Sequence, residues 1–513
     1  MKNRGVLCVA LWCSLGPCFA ASAQDTRQVF EPKIPPVCTK LSAEIFVPMD
    51  ENGGKVSPDD EGRLDTDRIQ KAIDSCEAGK SVELAARICP KGAACKVGDA
   101  NGFLSGPLEL REGVTLLIDE GVTVYASRDP KVFEIKTPDA AADAPTVCGT
   151  SVPRPTTFPV QLGADAKARR VGCRSLITIN VKDAAIMGKG TLDGRGYAQI
   201  LGKDYSWWEM ARKAQPHDDL YYTPRLIIAS HADGLILYGI HLNNSQNFHV
   251  SVNQTNGFTA WGVHLQTPVN KKLIGTGNDA RNTDGIDPGT STNVTVAHSW
   301  IDNGDDNIAV KQGVSHMSVL DNHFYSGHGM SIGSETVLGQ SYLLVDGLAE
   351  DHTTSGIRVK SNVKRGGPVH DLAYKNICMR DVPIPIAISP YYTNQTVEPF
   401  ENPNYEGDKI PDYKKITLEN IYSETPGDVL IAGLNDQHRT EVSVRNVVIQ
   451  GITAKQVHLS YADIQVNVPW SNIPFLEAAQ GNKSVVVQDM AGNTIVPKSG
   501  RKDPCEGKFV PYQ

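Results

Sequence analysis

Short alternations of apolar and polar residues recur through the middle of the chain. The segment GLILYGIHL begins at Gly234, and GFTAWGVHL, with the same pattern, begins 23 residues later at Gly257. The same interval separates NVTVAHSWI, from Asn293, and HMSVLDNHF, from His316. An alternation of period two predicts a strand, so each unit reads as strand, turn and strand. Related units begin at Asp183, Asp371, Lys415 and Glu441.

The spacing of these strands predicts a solenoid. Repeats of this length, with almost no helical periodicity between them, are typical of a parallel β-helix in which each repeat forms one coil. A β-propeller would need a longer and steadier repeat, and a β-sandwich would need hairpin turns between its strands. We therefore predict an all-β fold, a single-stranded parallel β-helix, whose longer intervals are loops inserted on a coil.

One helix is predicted before the repeats, in the segment DTDRIQKAIDSC. Asp65 or Thr66 is placed to cap its first turn. A helix at this position would cover the open first coil and shield the edges of its strands. Spacing at three and four residues gives it one apolar face. That face comprises Ile69, Ala72, Ile73 and Cys76.

The ends of the chain differ from the repeats. Residues 1–23 begin with two cations, continue with an apolar stretch and end in small residues. That order predicts a secretory signal peptide cut after Ala23, and no other apolar run is long enough to span a membrane. After about residue 455 the alternation weakens, and we expect this tail to pack on the helix. With no dividing linker, residues 24–513 are predicted to form a single β-helix catalytic domain.

Net charge and cysteine content restrict which ligands the chain can bind and which cross-links it can form. The net charge of −8 becomes −10 without Lys2 and Arg4, so bulk charge excludes a nucleic-acid binder. An anionic substrate would need a local group of cations. Of the 11 cysteines, three lie in the predicted signal, and the remaining even number favours disulfides in an exported chain. No spacing indicates zinc. Proximity in sequence favours two pairs, Cys89 with Cys95 and Cys148 with Cys173.

Acidic and basic residues recur at about one repeat in four segments. Neighbouring coils lie roughly 4.8 Å apart, so residues separated by one repeat can lie side by side. Asp305 follows Asp284 by 21 residues, and His328 follows Asp306 by 22. We therefore predict that these residues form one cluster. The segments are NTDGID with Asp284, GDDNIAVK with Asp305 and Asp306, SGHGMSIGS with His328, and IRVKS with Arg358 and Lys360.

Such a cluster indicates acid–base chemistry on a sugar. Crowded carboxylates cannot all ionise easily, so one can protonate a leaving oxygen while an ionised partner activates water. Paired carboxylates are the usual means of hydrolysing a glycosidic bond. Arg358 and Lys360 face the same side of a strand and suit the carboxylate of an acidic sugar. Asp287, by contrast, is expected to stabilise a turn or cap a loop. Trp207 and Trp208 fit either a sugar-stacking platform or the core.

The four segments, in order, resemble the signature segments of glycoside hydrolase family 28, the polygalacturonases. The resemblance covers roughly residues 40–455. It implies a right-handed β-helix and inverting hydrolysis of α-1,4-galacturonosyl linkages in pectin, without a metal or other cofactor. It also implies that Asp305 is the general acid, that Asp284 and Asp306 hold and activate water, and that His328 orients or tunes the acid.

The same resemblance suggests how the substrate is held. Arg358 and Lys360 would bind the uronate carboxylate, and Asn282 would support the acids. Tyr392 falls where the family often has a substrate-contacting tyrosine, with Tyr391 as the neighbouring option. The implied partner is a pectic polysaccharide, with neither nucleic acid nor membrane. The chain is expected to act as a secreted monomer, with the periplasm as the alternative location.

Several alternatives stay open at this stage. Endo action is favoured over exo action, which depends on whether loops close one end of the cleft. The candidate loops are 203–223, 265–280 and 393–413.

Other activities are weighed against the same residues. The histidine and the two cations disfavour a rhamnogalacturonan hydrolase but leave a xylogalacturonan hydrolase open. A pectate lyase would need calcium ligands and a basic proton abstractor rather than an acid cluster. A carbohydrate-binding β-helix without catalysis is the remaining class.

Overall fold

A computed structural model describes residues 24–88, 98–135, 146–154, 172–392, 406–490 and 504–513. Parallel strands wind around one axis and form three sheets, here called sheets 1, 2 and 3, to each of which a full coil contributes one strand. This architecture confirms the predicted all-β, parallel β-helix. Its right-handed winding is the usual hand of parallel crossover connections.

Sheets 1 and 2 share an edge and merge in the long strand Pro368–Arg380, which pairs with both Gln340–Asp346 and Ala349–Asp351. The strands of sheet 1 are Val37–Ser42, Lys80–Ala85, Val114–Ile118, Ala185–Gly188, Ile236–Tyr238, Thr259–Trp261, Thr292–Ala297, Val314–Leu320, Gln340–Asp346, Pro368–Arg380, Asp412–Ser423, Thr440–Ile449, Ala462–Asn467 and Val485–Asp489. Those of sheet 2 are Ile45–Val47, Ala100–Ser105, Val122–Ala126, Thr191–Asp193, His241–Asn243, His264–Gln266, Trp300–Asp302, His323–Tyr325 and Ala349–Asp351. The first of these, Ile45–Val47, pairs antiparallel with the second.

Sheet 3 carries the candidate site. Its strands are Leu108–Glu109, Ile177–Ile179, Ile227–Ser230, Val250–Asn253, Ile286–Gly289, Ile308–Val310, Met330–Gly333, Ile357–Lys360, Ile386–Ser389, Val429–Ala432 and Val457–Ser460. Beside it, Ser151–Val152 and Leu220–Tyr221 form a small antiparallel pair.

The repeat interval seen in the sequence is the pairing register of the coils. Ile236 pairs with Thr259 and Leu237 with Ala260, each 23 residues apart. Residues that face inward therefore stack in columns, and their side chains form one continuous buried apolar cluster that runs from Ala43 to Phe475.

Four helices accompany the described coils: α1 (Thr66–Ser75), α2 (Pro130–Phe133), α3 (Trp207–Ala214) and α4 (Phe475–Ala478). Helix α1 is the predicted one and buries Ile69, Ala72 and Ile73. The predicted capping is wrong. The Asp65 carboxylate accepts a hydrogen bond from the Leu104 amide (3.0 Å) and pairs with Arg68, and Thr66 accepts one from the Gly106 amide (2.7 Å). Both side chains thus fix the helix to its neighbouring coil.

The tryptophan pair belongs to the core. Trp207 and Trp208 open helix α3 and are completely buried, and Trp208 Nε1 donates a hydrogen bond to the carbonyl of Ser245 (2.8 Å). A sugar-stacking role for either ring is therefore wrong.

Three disulfides join described residues: Cys38–Cys76, Cys148–Cys173 and Cys378–Cys505. The second confirms a predicted pair. The predicted Cys89–Cys95 pair and the predicted signal peptide lie outside the described residues.

The C-terminal part continues the solenoid further than the sequence pattern predicted. Strands Val457–Ser460, Ala462–Asn467 and Val485–Asp489 extend the sheets past residue 455. Within residues 504–513, the carbonyl of Val510 accepts a hydrogen bond from the Tyr325 hydroxyl (2.8 Å). Among the described residues, no helix has the length and apolar character needed to cross a membrane.

One interior column contains a carboxylic acid. Glu350 is completely buried on sheet 2, where its register neighbours are Phe324 and Met379. Burial raises the pKa of Glu350 to about 8 and outweighs the opposing effect of the Met330 backbone. The folded protein therefore holds a proton here that the unfolded chain releases near pH 4.3.

This proton makes stability fall as the pH rises through the interval between the two pKa values. We expect the free energy of unfolding of the wild type to drop by about 3 kcal/mol more between pH 5 and pH 8 than that of Glu350→Gln. Urea denaturation at both pH values measures the difference. The exposed Glu477→Gln serves as the matched control, and equal pH dependence in all three proteins would contradict the expectation.

Candidate active site

The predicted acids meet at the starts of successive strands of sheet 3. Asp284, Asp306 and His328 each lie two residues before a strand, and these strands pair in register. They form one column, here called the acid column. The 21-residue interval in the sequence predicts Asp305 beside Asp284. The strands pair one residue further on, so Asp306 takes that place and Asp305 lies in the preceding turn.

The carboxylates of Asp284, Asp305 and Asp306 are crowded together. One oxygen of each lies within 4.8 Å of the others. Asp284 and Asp306 are 3% and 2% exposed, whereas Asp305 is half-buried. Asp305 is therefore the acid that a bound molecule can reach. The three could share a metal ion, but lysine and arginine side chains already supply positive charge here.

Asp306 is held by two cations and a hydroxyl group. Its Oδ2 accepts a hydrogen bond from Lys360 Nζ (2.7 Å), and its Oδ1 accepts from Arg358 Nη1 (3.0 Å) and Ser331 Oγ (2.7 Å). Burial alone would raise the pKa of Asp306, but Lys360 and Arg358 outweigh it and hold the pKa well below its ordinary value. Asp306 is thus an ionised carboxylate throughout the physiological pH range.

Two further acids share one lysine. Lys311 Nζ lies 3.6 Å from Asp284 Oδ2 and 3.5 Å from Asp287 Oδ2. Burial, with Asp287 and Asp305 nearby, raises the pKa of Asp284 well above its ordinary value. Burial raises the pKa of Asp287 to about 6 despite Lys311. Asp284 therefore favours its neutral form, in contrast to Asp306.

Lys311 and Asp287 were not predicted as members of the site. Asp287 lies within the strand Ile286–Gly289 and is 2% exposed, so the expected turn role is wrong. Lys311 ends the GDDNIAVK segment, and its charge after an apolar strand was the available signal.

A hydrogen-bonded chain supports Asp305. Its Oδ1 accepts from the Asp306 amide (2.9 Å) and its Oδ2 from Asn282 Nδ2 (3.3 Å). Asn282 in turn accepts from the hydroxyl of Tyr221 (2.6 Å), and burial raises the pKa of that hydroxyl to about 12. Tyr221 therefore acts as a donor. The sequence indicated Asn282 but not Tyr221, whose insert gave no sign of its position.

The other predicted residues border the acids. The His328 amide donates to the carbonyl of Asp305 (2.9 Å), and its Nδ1 lies 2.7 Å from Thr354 Oγ1. The Tyr392 ring centroid lies 5.6 Å from Arg358 Cζ and 5.1 Å from Lys360 Nζ.

The two candidate tyrosines differ in position. Tyr391 is buried and donates its hydroxyl to the carbonyl of Leu434 (3.0 Å). Tyr392 is therefore the tyrosine beside the cations.

Two of the predicted inserts pack on each other beside the acids. Ser206 Oγ donates to Asn278 (2.6 Å), and Arg212 pairs with Asp279 (2.7 Å). Insert 203–223 thereby contacts insert 265–280 and presents Tyr221 to the acids. Residues 393–405 of the third candidate loop lie outside the described residues.

Comparison with known proteins shows a consistent set of relatives. The profile described as glycosyl hydrolases family 28 matches residues 132–468. An endo-polygalacturonase of Pectobacterium parmentieri is 37% identical over 447 residues, covering 86% of this chain and 94% of that protein. A polygalacturonase of Ralstonia solanacearum is 34% identical over 77% of this chain and 73% of its own. The solved polygalacturonase from Erwinia carotovora ssp. carotovora superposes with a TM-score of 0.64 at 35% identity, over 85% of this chain and 100% of that one.

The shared lysine allows a test of the site's electrostatics. In Lys311→Met, Asp284 and Asp287 lose their cation, so their pKa values should rise further. The loss of these partly buried ion pairs should lower the free energy of unfolding by about 3 kcal/mol at pH 7.5, where the acids tend to ionise. The loss should be smaller at pH 4.5, where both acids are neutral. Urea denaturation at both pH values measures this. Adding Asp287→Asn should restore part of the loss, and equal losses at both pH values would contradict the assignment.

Proposed function

The chain belongs to glycosyl hydrolase family 28, and we propose that it hydrolyses the α-1,4-galacturonosyl linkages of polygalacturonate at internal positions. The names and identities of the Pectobacterium and Ralstonia relatives support the substrate, and the former supports endo action. The observation that carries the proposal is the crowding of three carboxylates, one fixed as an ion, against cations suited to an acidic sugar.

In this proposal Asp305 protonates the leaving glycosidic oxygen. Proton donation requires contact with the substrate, and Asp305 is the least buried of the three acids. The chain from Tyr221 through Asn282 fixes its carboxyl group. His328, bound through its backbone to Asp305, orients the same turn.

Asp284 and Asp306 hold the attacking water. Each carboxylate oxygen can accept two hydrogen bonds, and Asp306 Oδ2 receives only that of Lys360 from the described residues. Asp284 Oδ1 is buried and contacts no hydrogen-bond donor among the described residues. A water between these oxygens would be oriented by both, and ionised Asp306 would draw its proton.

Inversion is proposed although the oxygens lie within 4.8 Å, closer than the 6.5–9.5 Å between carboxyl groups typical of inverting glycosidases. A retaining mechanism needs a carboxylate that attacks the anomeric carbon. Asp306 is engaged by Lys360, Arg358 and Ser331, and Asp284 favours its neutral form, so neither suits that role. Direct attack by water needs no covalent intermediate.

Arg358, Lys360 and Tyr392 bind the uronate next to the scissile bond. Arg358 carries five N–H donors, and its Nε contacts no acceptor among the described residues. Lys360 has three donors and gives one to Asp306. Both cations can therefore hold Asp306 and a substrate carboxylate together.

We also propose a cellular location, a domain organisation and an oligomeric state for the enzyme. Three disulfides support export, with the periplasm as the alternative to full secretion. The continuous apolar cluster supports one catalytic domain over residues 24–513. We further propose that this domain acts as a monomer and without a metal or other cofactor.

Substitution tests the assigned acid. Asp305→Asn keeps the shape but cannot donate the proton, so kcat on polygalacturonate should fall about 10²–10⁴-fold. Reducing ends measure turnover, and calorimetric titration with tetragalacturonate should show retained binding. Asp321→Asn, at an exposed site, is the matched control. Full activity of Asp305→Asn would refute the role.

The wild-type reaction tests the bond and mode of cleavage. In chelator, a polygalacturonate digest should yield reducing ends without the ultraviolet absorbance of unsaturated uronides. Viscosity should fall far ahead of reducing ends, and NMR of the first products should show the β anomer.

Each departure from these expected results would indicate a different activity. Rising absorbance would indicate a lyase, and lagging viscosity would indicate exo action. The α anomer would indicate retention. Absence of products would direct the search to rhamnogalacturonan, xylogalacturonan or a binding-only function.

A further inference from the structure

The acid column continues beyond the acids toward the N-terminal end of sheet 3. Arg225 and Phe248 lie two residues before the strands Ile227–Ser230 and Val250–Asn253. These strands pair with each other and then with the strand that follows Asp284. The order along the column is therefore Arg225, Phe248, Asp284, Asp306 and His328.

A cavity of about 210 Å³ opens where the column is extended. Arg225 and Phe248 line it together with Tyr222, Tyr221 and Asn282. The last two also form the hydrogen-bonded chain that ends on Asp305. The cavity is therefore contiguous with the surroundings of the proposed general acid.

Arg225 is held in a geometry that suits a carboxylate. Its Cζ lies 4.4 Å from the centroid of the Phe248 ring, and Lys311 Nζ lies 5.6 Å from the same ring. Its Nη1 lies 3.4 Å from Ser251 Oγ. The Phe248 ring contacts the guanidinium by its face. A guanidinium has five N–H donors, so its edge can bind a carboxylate through two parallel hydrogen bonds in addition to its other contacts.

We propose that Arg225 binds the carboxylate of a galacturonate residue on the side of the scissile bond opposite Arg358 and Lys360. The inference rests on the proposed polygalacturonate hydrolysis. Arg225 precedes Asp306 by three coils, or about 14 Å at the usual strand spacing, whereas Arg358 and Lys360 reach Asp306 from later coils. The substrate chain then lies along the helix axis.

This arrangement has a consequence for substrate choice. A methyl ester removes the charge of the uronate, and with it the ionic contact to Arg225. The enzyme should therefore require a free carboxylate on both sides of the bond that it cuts. An enzyme that used Arg358 and Lys360 alone would sense esterification on one side only.

Binding without turnover provides the test. In the Asp305→Asn background, adding Arg225→Gln should raise the calorimetric Kd for tetragalacturonate about tenfold, while Arg225→Lys should recover part of the affinity through its charge. Arg445→Gln, at an exposed ion pair on sheet 1, is the matched control and should leave Kd unchanged. With Asp305 intact, Arg225→Gln should raise KM with kcat changed less than twofold, and should weaken the preference for de-esterified over methyl-esterified pectin.

Several outcomes would overturn the inference. An unchanged Kd in Arg225→Gln would remove Arg225 from the binding site while leaving the hydrolase assignment intact. Equal losses in Arg225→Gln and Arg225→Lys, together with a lowered Tm in both, would show a structural role instead. Failure of Asp305→Asn itself to bind tetragalacturonate, when the wild type also forms no product, would refute the proposed function and this subsite with it.

Discussion

The pairing register of sheet 3 is the constraint on which the site depends. Because neighbouring coils are joined by backbone hydrogen bonds, a residue has no freedom to choose its neighbour in the next coil. A slip of one residue would turn every side chain to the other face. The acid column therefore owes its order to apolar residues such as Ile286, Ile308 and Met330, whose burial holds the register.

Charge balance then gives chemically identical side chains different states. Asp306 faces two cations and is an ion, while Asp284 shares Lys311 with Asp287 and favours its proton. Asp305 lies in the turn before Asp306 and is the half-buried acid of the three. The chain carries a net charge of −8, yet this site gathers Lys311, Arg358 and Lys360 around its buried acids.

Much of this arrangement could be predicted from the periodicity of the sequence and the spacing of its charged residues. The 23-residue interval predicted the coils, and the segments of Asp284, Asp305 and His328 predicted the cluster. The features that were missed or wrongly predicted depend on contacts between segments that are distant in sequence. Tyr221 reaches the acids from an insert whose path has no periodic signal. The Asp65 carboxylate pairs with Arg68 and accepts the Leu104 amide of a neighbouring coil, and it does not cap the first turn of its helix.

Residues without a spacing rule escaped prediction for a related reason. The role proposed for Arg225 could not be predicted from the sequence, because it depends on the aromatic rings that surround this residue in the fold. Cys148–Cys173 followed from proximity in sequence, whereas Cys38–Cys76 and Cys378–Cys505 join residues 38 and 127 positions apart.

The Cys378–Cys505 bridge has a consequence for how the molecule comes apart. A stack of coils holds mainly through nearest neighbours, so it can unravel from either end, one coil at a time. The bridge ties the last residues to the outside of an earlier coil, and Phe509 packs against Arg380 beside it (4.6 Å). The coils between these points lie inside a closed loop. Fraying cannot start from a free chain end within this loop, so we expect the C-terminal quarter of the chain to open as a unit.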